Sequence, residues 1–194
     1  MEFKHLVLAS SSEYRQSLLR KFHLEFICDS PDIDETPLLD EPPKQTARRL
    51  SEAKAGELIG KFPNSLIIGS DQVPVLKGCR LSKPGNRKNA IEQLLAASDQ
   101  CMTFYTGVAV ANSLTGEVIS DIDKSHVYFK KLTKATIERY VDLEKPFNCA
   151  GGFKSEGMGI VLLNKIEGDD PNALIGLPLI KLIGLLEKFG VKVI

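Results

Sequence analysis

Neither sign of charge dominates this sequence: lysine plus arginine and aspartate plus glutamate each number 25 among its 194 residues. Without a global field, no direct role on nucleic acid or on an anionic membrane is expected, and any basic character must be local. Cysteine is scarce. Cys28, Cys79, Cys101 and Cys149 stand far apart with no C-x-x-C pair, and the three histidines do not cluster, so neither a zinc site nor a disulfide framework is indicated. No apolar run is long enough to span a bilayer. The richest stretch, residues 174–186, is interrupted by Gly176, Pro178 and Lys181 and has the length of a core helix. Glu2, Lys4 and His5 precede only a handful of apolar residues, which is not a signal-peptide pattern. Repeats and low-complexity segments are also missing. What remains is a soluble, cytoplasmic protein, a single domain over residues 1–194 able to bury most of its apolar side chains.

Leu6-Val7-Leu8-Ala9, broken by Ser10-Ser11-Ser12 and resumed at helical spacing by Leu18 and Leu19, reads as strand, turn and helix. A short strand is expected over 25–28, an acidic, proline-rich loop over 30–43, a helix over 44–61 and a strand over 65–69 ending at Ser70-Asp71-Gln72. A helix over 86–97 and a strand over 102–112 follow, and Thr115-Gly116 turns the chain into short strands at 118–119 and 127–129. Another helix starts at Leu132-Thr133 and stops before Pro146. A glycine-rich loop then leads into a strand over 159–163, and the chain closes with a helix after Pro178 and a strand over 191–194. Alternating elements at both ends of a mostly β middle predict a mixed α/β sheet with a secondary lobe.

Certain residues break their local pattern. The serine turn offers backbone N–H groups, hydroxyls and a helix dipole to an anion, and Arg15 adds a fork of donors suited to phosphate; the plainer reading is that a serine only caps the helix. Lys54 falls in the stripe Ala47, Leu50, Lys54 and Leu58 that should face the core, so its ammonium either snorkels to water or aims into a cleft. Asp71 follows an apolar strand, where open α/β sheets bind ligands, and can hold Mg²⁺ or deprotonate water. Lys83, stiffened by Pro84, is a further cation, and Glu35, between Pro31 and Pro37, is a metal ligand or a solvated loop carboxylate. The glycines at 151, 152 and 157 let backbone approach a ligand around Glu156, and Tyr14 is a stacking aromatic or a partly buried one.

In chain order, Leu8-Ala9-Ser10-Ser11-Ser12 with Arg15, Glu35-Thr36-Pro37, Glu52-Ala53-Lys54-Ala55, Gly69-Ser70-Asp71-Gln72, Lys83-Pro84, Phe104-Tyr105-Thr106-Gly107, Phe153-Lys154-Ser155-Glu156-Gly157 and Leu174-Ile175-Gly176-Leu177-Pro178 resemble the Maf family of nucleoside triphosphate pyrophosphatases over nearly the whole chain. The resemblance implies an α/β fold, with a mixed, mostly curved sheet and flanking helices in two lobes around a central cleft, similar to inosine triphosphate pyrophosphatases. It implies hydrolysis of a nucleoside triphosphate to monophosphate and pyrophosphate with a divalent metal, Mg²⁺ or Mn²⁺, and suggests a homodimer. On this likeness Asp71 is the general base and shares the metal with Glu35, Lys54 and Lys83 are catalytic cations, and Ser10, Ser12 and Arg15 hold the triphosphate. Attack of water on the α-phosphorus needs in-line placement, a proton acceptor and cations, which this set supplies. The chain departs from many relatives at Glu13, Tyr14 and Gln16, where a proline and a second arginine are usual, which lessens local positive charge.

Tyr14, Gln72 and Glu156 fall where branches of the family differ, and their combination looks like the 7-methyl-GTP branch. A purine methylated at N7 is cationic and can stack on Tyr14, while Glu156 can accept from guanine N1–H and its amino group. Such an enzyme would keep modified nucleotides out of nucleic acids. Two other readings are a dTTP or UTP pyrophosphatase on the same scaffold, and a nucleotide-binding regulator of cell division, since Maf relatives are associated with septum formation.

Overall fold

In the computed structural model, which describes residues 3–194, the first apolar run forms β1 (His5–Ala9), and Ser12 caps α1 (Glu13–Leu19) by accepting the Arg15 backbone N–H. Then come β2 (Ile27–Asp29), α2 (Pro43–Glu57), β3 (Ser65–Leu76), β4 (Cys79–Arg80), α3 (Arg87–Ala97), β5 (Cys101–Asn112) and β6 (Val118–Phe129). The chain continues through α4 (Lys134–Glu144), β7 (Leu163–Glu167), α5 (Pro171–Ile175) and α6 (Leu179–Lys188). The seven strands form one mixed sheet in the order β2-β1-β3-β5-β6-β7, with β4 paired to β3. β1 runs parallel to both its neighbours, whereas β3 with β4 and β6 with β7 are antiparallel. The expected mixed α/β sheet with flanking helices is therefore present.

Four segments differ from the sequence reading. β3 does not end at Asp71; Val73, Val75 and Leu76 prolong its apolar pattern, and Val75 and Leu76 pair with β4. β6 is one strand rather than two short ones. The strand expected over 159–163 is a 3-10 turn (Met158–Leu162) followed by β7. Gly159 sits so close beneath Lys154 that a Cβ would stand 2.1 Å from its carbonyl oxygen, a fold-back that an extended strand cannot make. Residues 191–194 form no strand; Val191 and Val193 pack on the core beside α6 instead.

The chain divides into two compact units, the first made of the described residues up to Gln72 with Thr106–Asp123 and Asp170–Ile194, the second of Val73–Tyr105 and Lys124–Asp169. In the first, strand side chains alternate between two apolar layers. Leu8, Leu66, Ile68, Val108 and Val110 meet Leu18 and Leu19 of α1 and Leu182, Leu185 and Leu186 of α6. Val7, Ala9, Ile67, Ala109 and Ala111 meet Ala55 and Leu58 of α2 on the other face. That second layer is thin because its residues are small. A Cβ on Gly69 would lie 2.1 Å from the Ser51 carbonyl oxygen, and one on Gly107 would lie 2.4 Å from that of Ala47.

In the second unit, Phe153 packs edge-on against Phe104 and Phe129, with ring centroids 5.8 and 5.3 Å away. Gly151, at φ 73°, lets the backbone lie where a Cβ would be 2.8 Å from Met102 Sδ and 3.0 Å from the Phe104 ring. This glycine therefore serves the unit's own core, not the close approach to a ligand expected from sequence.

The closeness of α2 to the strands yields a stability prediction. Gly69→Ala and Gly107→Ala should each lower the unfolding free energy by about 1–3 kcal/mol through overpacking, whereas Gly184→Ala, with open space around it in α6, should lose none; urea denaturation measures all three.

Candidate active site

The pairing of β1 with β3 ends at Leu8 opposite Ile68, so Asp71 emerges from β3 past the carboxyl end of β1. Its side chain shares a face with Gly69, the face that α2 covers, by the period of two. Because the two glycines admit α2 so closely, Lys54 reaches the sheet: its Nζ lies 2.7 Å from Asp71 Oδ1 and 2.8 Å from Glu35 Oε1. The lysine is buried and does not snorkel to water. Ser51, one turn earlier on α2, donates to the Ala47 carbonyl at 2.6 Å and accepts the Asp71 backbone N–H at 3.1 Å, holding the aspartate's main chain.

Arg15 enters from α1. Its Nε donates to the Gly176 carbonyl at 2.9 Å, which fixes the plane of the guanidinium, and one terminal nitrogen lies 3.4 Å from Ser10 Oγ. Burial pushes the Arg15 pKa down, while the negative charges of Asp71 and Glu35 push it up, so the guanidinium lies within the field of both carboxylates. The serine turn is partly self-sufficient: Ser10 Oγ accepts the Ser12 N–H at 3.1 Å, and Ser12 caps α1. Tyr14 is half-buried on α1. Behind Arg15, Ser70 Oγ lies 2.7 Å from the Gly107 carbonyl oxygen and 2.9 Å from that of Gly176. Gln72 spends its amide nitrogen on the scaffold, 3.0 Å from the carbonyls of Ala173 and Leu174 and 3.1 Å from Thr106 Oγ1. With both hydrogens committed, it can offer a ligand only its Oε1, an acceptor.

Lys83 and Glu156 belong to the second unit. Lys83 is exposed on a loop pinned by Asn89 Nδ2 to the Pro84 carbonyl at 2.9 Å and by the Gly85 N–H to the Phe147 carbonyl at 2.8 Å. Glu156 is exposed beside Ser155 Oγ. Its loop is anchored two residues earlier, where Lys154 Nζ donates to the Glu144 carbonyl at 2.7 Å and the Lys154 N–H donates to the Tyr140 hydroxyl at 2.9 Å. From the other side, the Met158 N–H donates to Glu144 Oε1 at 3.0 Å.

A family model described as Maf-like protein matches residues 5–189. This chain belongs to the Maf family. A 7-methyl-GTP pyrophosphatase from Vibrio vulnificus (strain CMCP6) is 56% identical over 194 residues, covering all of both chains. Proteins of the same name from Vibrio parahaemolyticus serotype O3:K6 and Pseudoalteromonas translucida are 53% identical over 194 residues, all of both chains, and 52% identical over 189 residues, 97% of this chain and 94% of that one. Among solved structures, a nucleoside-triphosphatase / dITP/XTP pyrophosphatase from Mycobacterium abscessus aligns at 15% identity and TM-score 0.42, over 66% of this chain and 75% of that chain. A HAM1 protein from Coxiella burnetii aligns at 15% identity and TM-score 0.44, over 66% and 73%.

Among the described residues of this Maf-family chain, no group of three or more histidine, cysteine, aspartate or glutamate side chains could hold a metal ion. Glu35 and Asp71, both on one ammonium, suit a cation such as Mg²⁺, which commonly takes one or two carboxylates and completes its shell with water and substrate phosphate. Sequence reading missed Ser51, Ser70 and Thr106. The available signal was the Ala47-Ser51-Ala55 row of small residues, four apart, opposite two strand glycines.

The loop bearing Glu35 is tied to α2 by Glu41. Arg49 Nε donates to Glu41 Oε1 at 2.6 Å, Thr46 Oγ1 and the Leu38 N–H donate to Oε2 at 2.9 and 3.2 Å, and Arg49 also reaches the Thr36 carbonyl at 3.2 Å. Hydrogen bonding from Arg49 first, then from Thr46 and Leu38, takes the Glu41 pKa from 4.5 to about 2 against the opposing effect of burial. A folded pKa below the unfolded one stabilises above the unfolded value, and that stability is lost as pH falls through the folded one. Wild-type stability should therefore decline between pH 4.5 and about 2 by an increment that Glu41→Gln lacks, read from urea midpoints across that range.

Proposed function

We propose that this chain is a single catalytic domain over residues 1–194 that hydrolyses 7-methyl-GTP to 7-methyl-GMP and pyrophosphate, using a divalent metal, Mg²⁺ or Mn²⁺, in the cytoplasm. The observation that carries the reading is Lys54 bridging Asp71 and Glu35 beside the oriented guanidinium of Arg15. A carboxylate able to take a proton, with cations around it, is what displacement at a phosphorus by water requires. Full-length identity of 56% to a protein named for this activity supports the substrate. No helix among the described residues is long and apolar enough to cross a membrane.

Asp71 accepts the proton of the attacking water. Arg15, Lys54 and Lys83 oppose charge on the phosphate oxygens, and Ser10 and Ser12 orient them. Glu35 and Asp71 hold the metal, which neutralises phosphate charge when bound. Tyr14 stacks on the cationic purine, worth about 0.5–2 kcal/mol. Glu156 accepts from the guanine edge, each charge-assisted bond being worth roughly 1.5–3 kcal/mol. Gln72 meets the ligand as an acceptor, because its amide nitrogen is already committed.

The test is pyrophosphate release with Mg²⁺ or Mn²⁺ across 7-methyl-GTP, GTP, dTTP, UTP and ITP at equal concentrations. The expected result is a strong preference for 7-methyl-GTP, and Glu156→Gln should shrink the preference over GTP by about tenfold, because the carboxylate favours the cationic purine over neutral guanine whereas a neutral amide does not. Preference for dTTP or UTP would keep the pyrophosphatase and overturn the base assignment. Release from none of the five would move the regulator of cell division to the front. Asp71→Asn should lower turnover by about 10²–10⁴-fold, the ordinary contribution of a general base.

A further inference from the structure

Lys54 does two things that a simple phosphate ligand does not. Its ammonium sits between the two carboxylates that would hold the metal, within 2.7 and 2.8 Å of them, and its side chain is only 9% exposed. Of three N–H donors, two are spent on those carboxylates. An ammonium so placed cannot be given up to water without cost, because it is buried; it leaves a carboxylate only for another anion.

We propose that Lys54 is an exchangeable counter-ion: its ammonium and a divalent cation hold the Glu35 and Asp71 carboxylates in turn, and entry of the cation passes the ammonium to a substrate phosphate. The proposal rests on the pyrophosphatase reading for the identity of that phosphate. The two carboxylates are unequally free to follow such an exchange. Asp71 is 11% exposed and its main chain is tied to Ser51, whereas Glu35 is 60% exposed on its loop. Asp71 is thus the fixed post and Glu35 the arm that adjusts. With no third acidic or imidazole side chain grouped with them among the described residues, the cation completes its shell with water and phosphate oxygens, and the phosphate in turn satisfies the released ammonium. Metal and nucleotide therefore bind with positive coupling, each clearing a place for the other.

The experiment measures Mn²⁺ binding by electron paramagnetic resonance, without nucleotide and without turnover, to the wild type, Lys54→Met and Arg49→Met. Arg49 feels the charge of Asp71 but pairs with Glu41 and the Thr36 carbonyl, so its variant removes a nearby charge and slackens the Glu35 loop while leaving the Lys54 ammonium on both carboxylates. Lys54→Met should bind Mn²⁺ about tenfold more tightly than the wild type, an ordinary size for coupling between two ligands, and Arg49→Met should gain clearly less. Equal or weaker binding by Lys54→Met, or an equal gain in Arg49→Met, overturns the exchange. If Lys54→Met does not fold, ¹⁵N-lysine NMR on the unaltered protein decides instead. The Lys54 ammonium resonance should shift on titration with Mg²⁺ and shift again with pyrophosphate, and a resonance unmoved at saturating Mg²⁺ overturns the proposal. Because no step is hydrolytic, a failed nucleotide panel alongside tighter Mn²⁺ binding would remove the enzymatic reading and leave the exchange standing.

Discussion

Everything in the candidate site depends on how near α2 lies to the sheet. At Gly69 and Gly107 the helix backbone rests almost on the strand backbone, with the Ser51 and Ala47 carbonyls occupying the space that side chains would fill. A helix packed at the usual distance over larger residues would leave the lysine ammonium short of Asp71. The small residues of the second apolar layer, Ala9, Ala55, Ala109 and Ala111, belong to the same solution. They give up buried apolar area on that face, while the leucine-rich layer beside α1 and α6 carries the greater share of hydrophobic burial.

On the opposite side of β3 the site is organised by main-chain carbonyls. Gly176 receives Arg15 and lies against Ser70, and Ala173 and Leu174 receive Gln72. These are carbonyls from the end of a short helix and from the residue that caps it, and of them only Ala173 also accepts the capping Gly176 N–H. Side chains from β3 and α1 satisfy them. The same bonds aim the guanidinium, so closing a helix end and presenting a phosphate donor are one arrangement.

Much of this was legible in the sequence, and the boundary of legibility has physical causes. Period-two and helical patterns located the main elements, and the polar intruder at Lys54 on an apolar stripe marked a buried charge with partners. The ordered motifs named the family that the match over residues 5–189 bears out. What stayed hidden was tertiary. Nothing local distinguishes Ser51 from any helix serine, because its role comes from a strand distant in sequence. Gly151 looked like a ligand-facing glycine because tolerance of positive φ reads the same whether a ring of the core or a substrate presses on the backbone. The turn before β7 reads as a strand because its residues form a continuous apolar run; close backbone contact at Gly159 overrides that pattern.

The commitment of the Gln72 amide reaches beyond orientation. Its nitrogen faces two carbonyls and a hydroxyl that already donates to Ala173. An anionic residue at this position would meet a ring of acceptors and repel them, and an apolar one would take from the Leu174 carbonyl the donor that Gln72 supplies, while Ala173 would keep those of Thr106 and Gly176. The repertoire of side chains available here is thus restricted by the protein's own interior before any nucleotide is present. A different residue here must come together with a rearrangement of the Ala173 and Leu174 backbone.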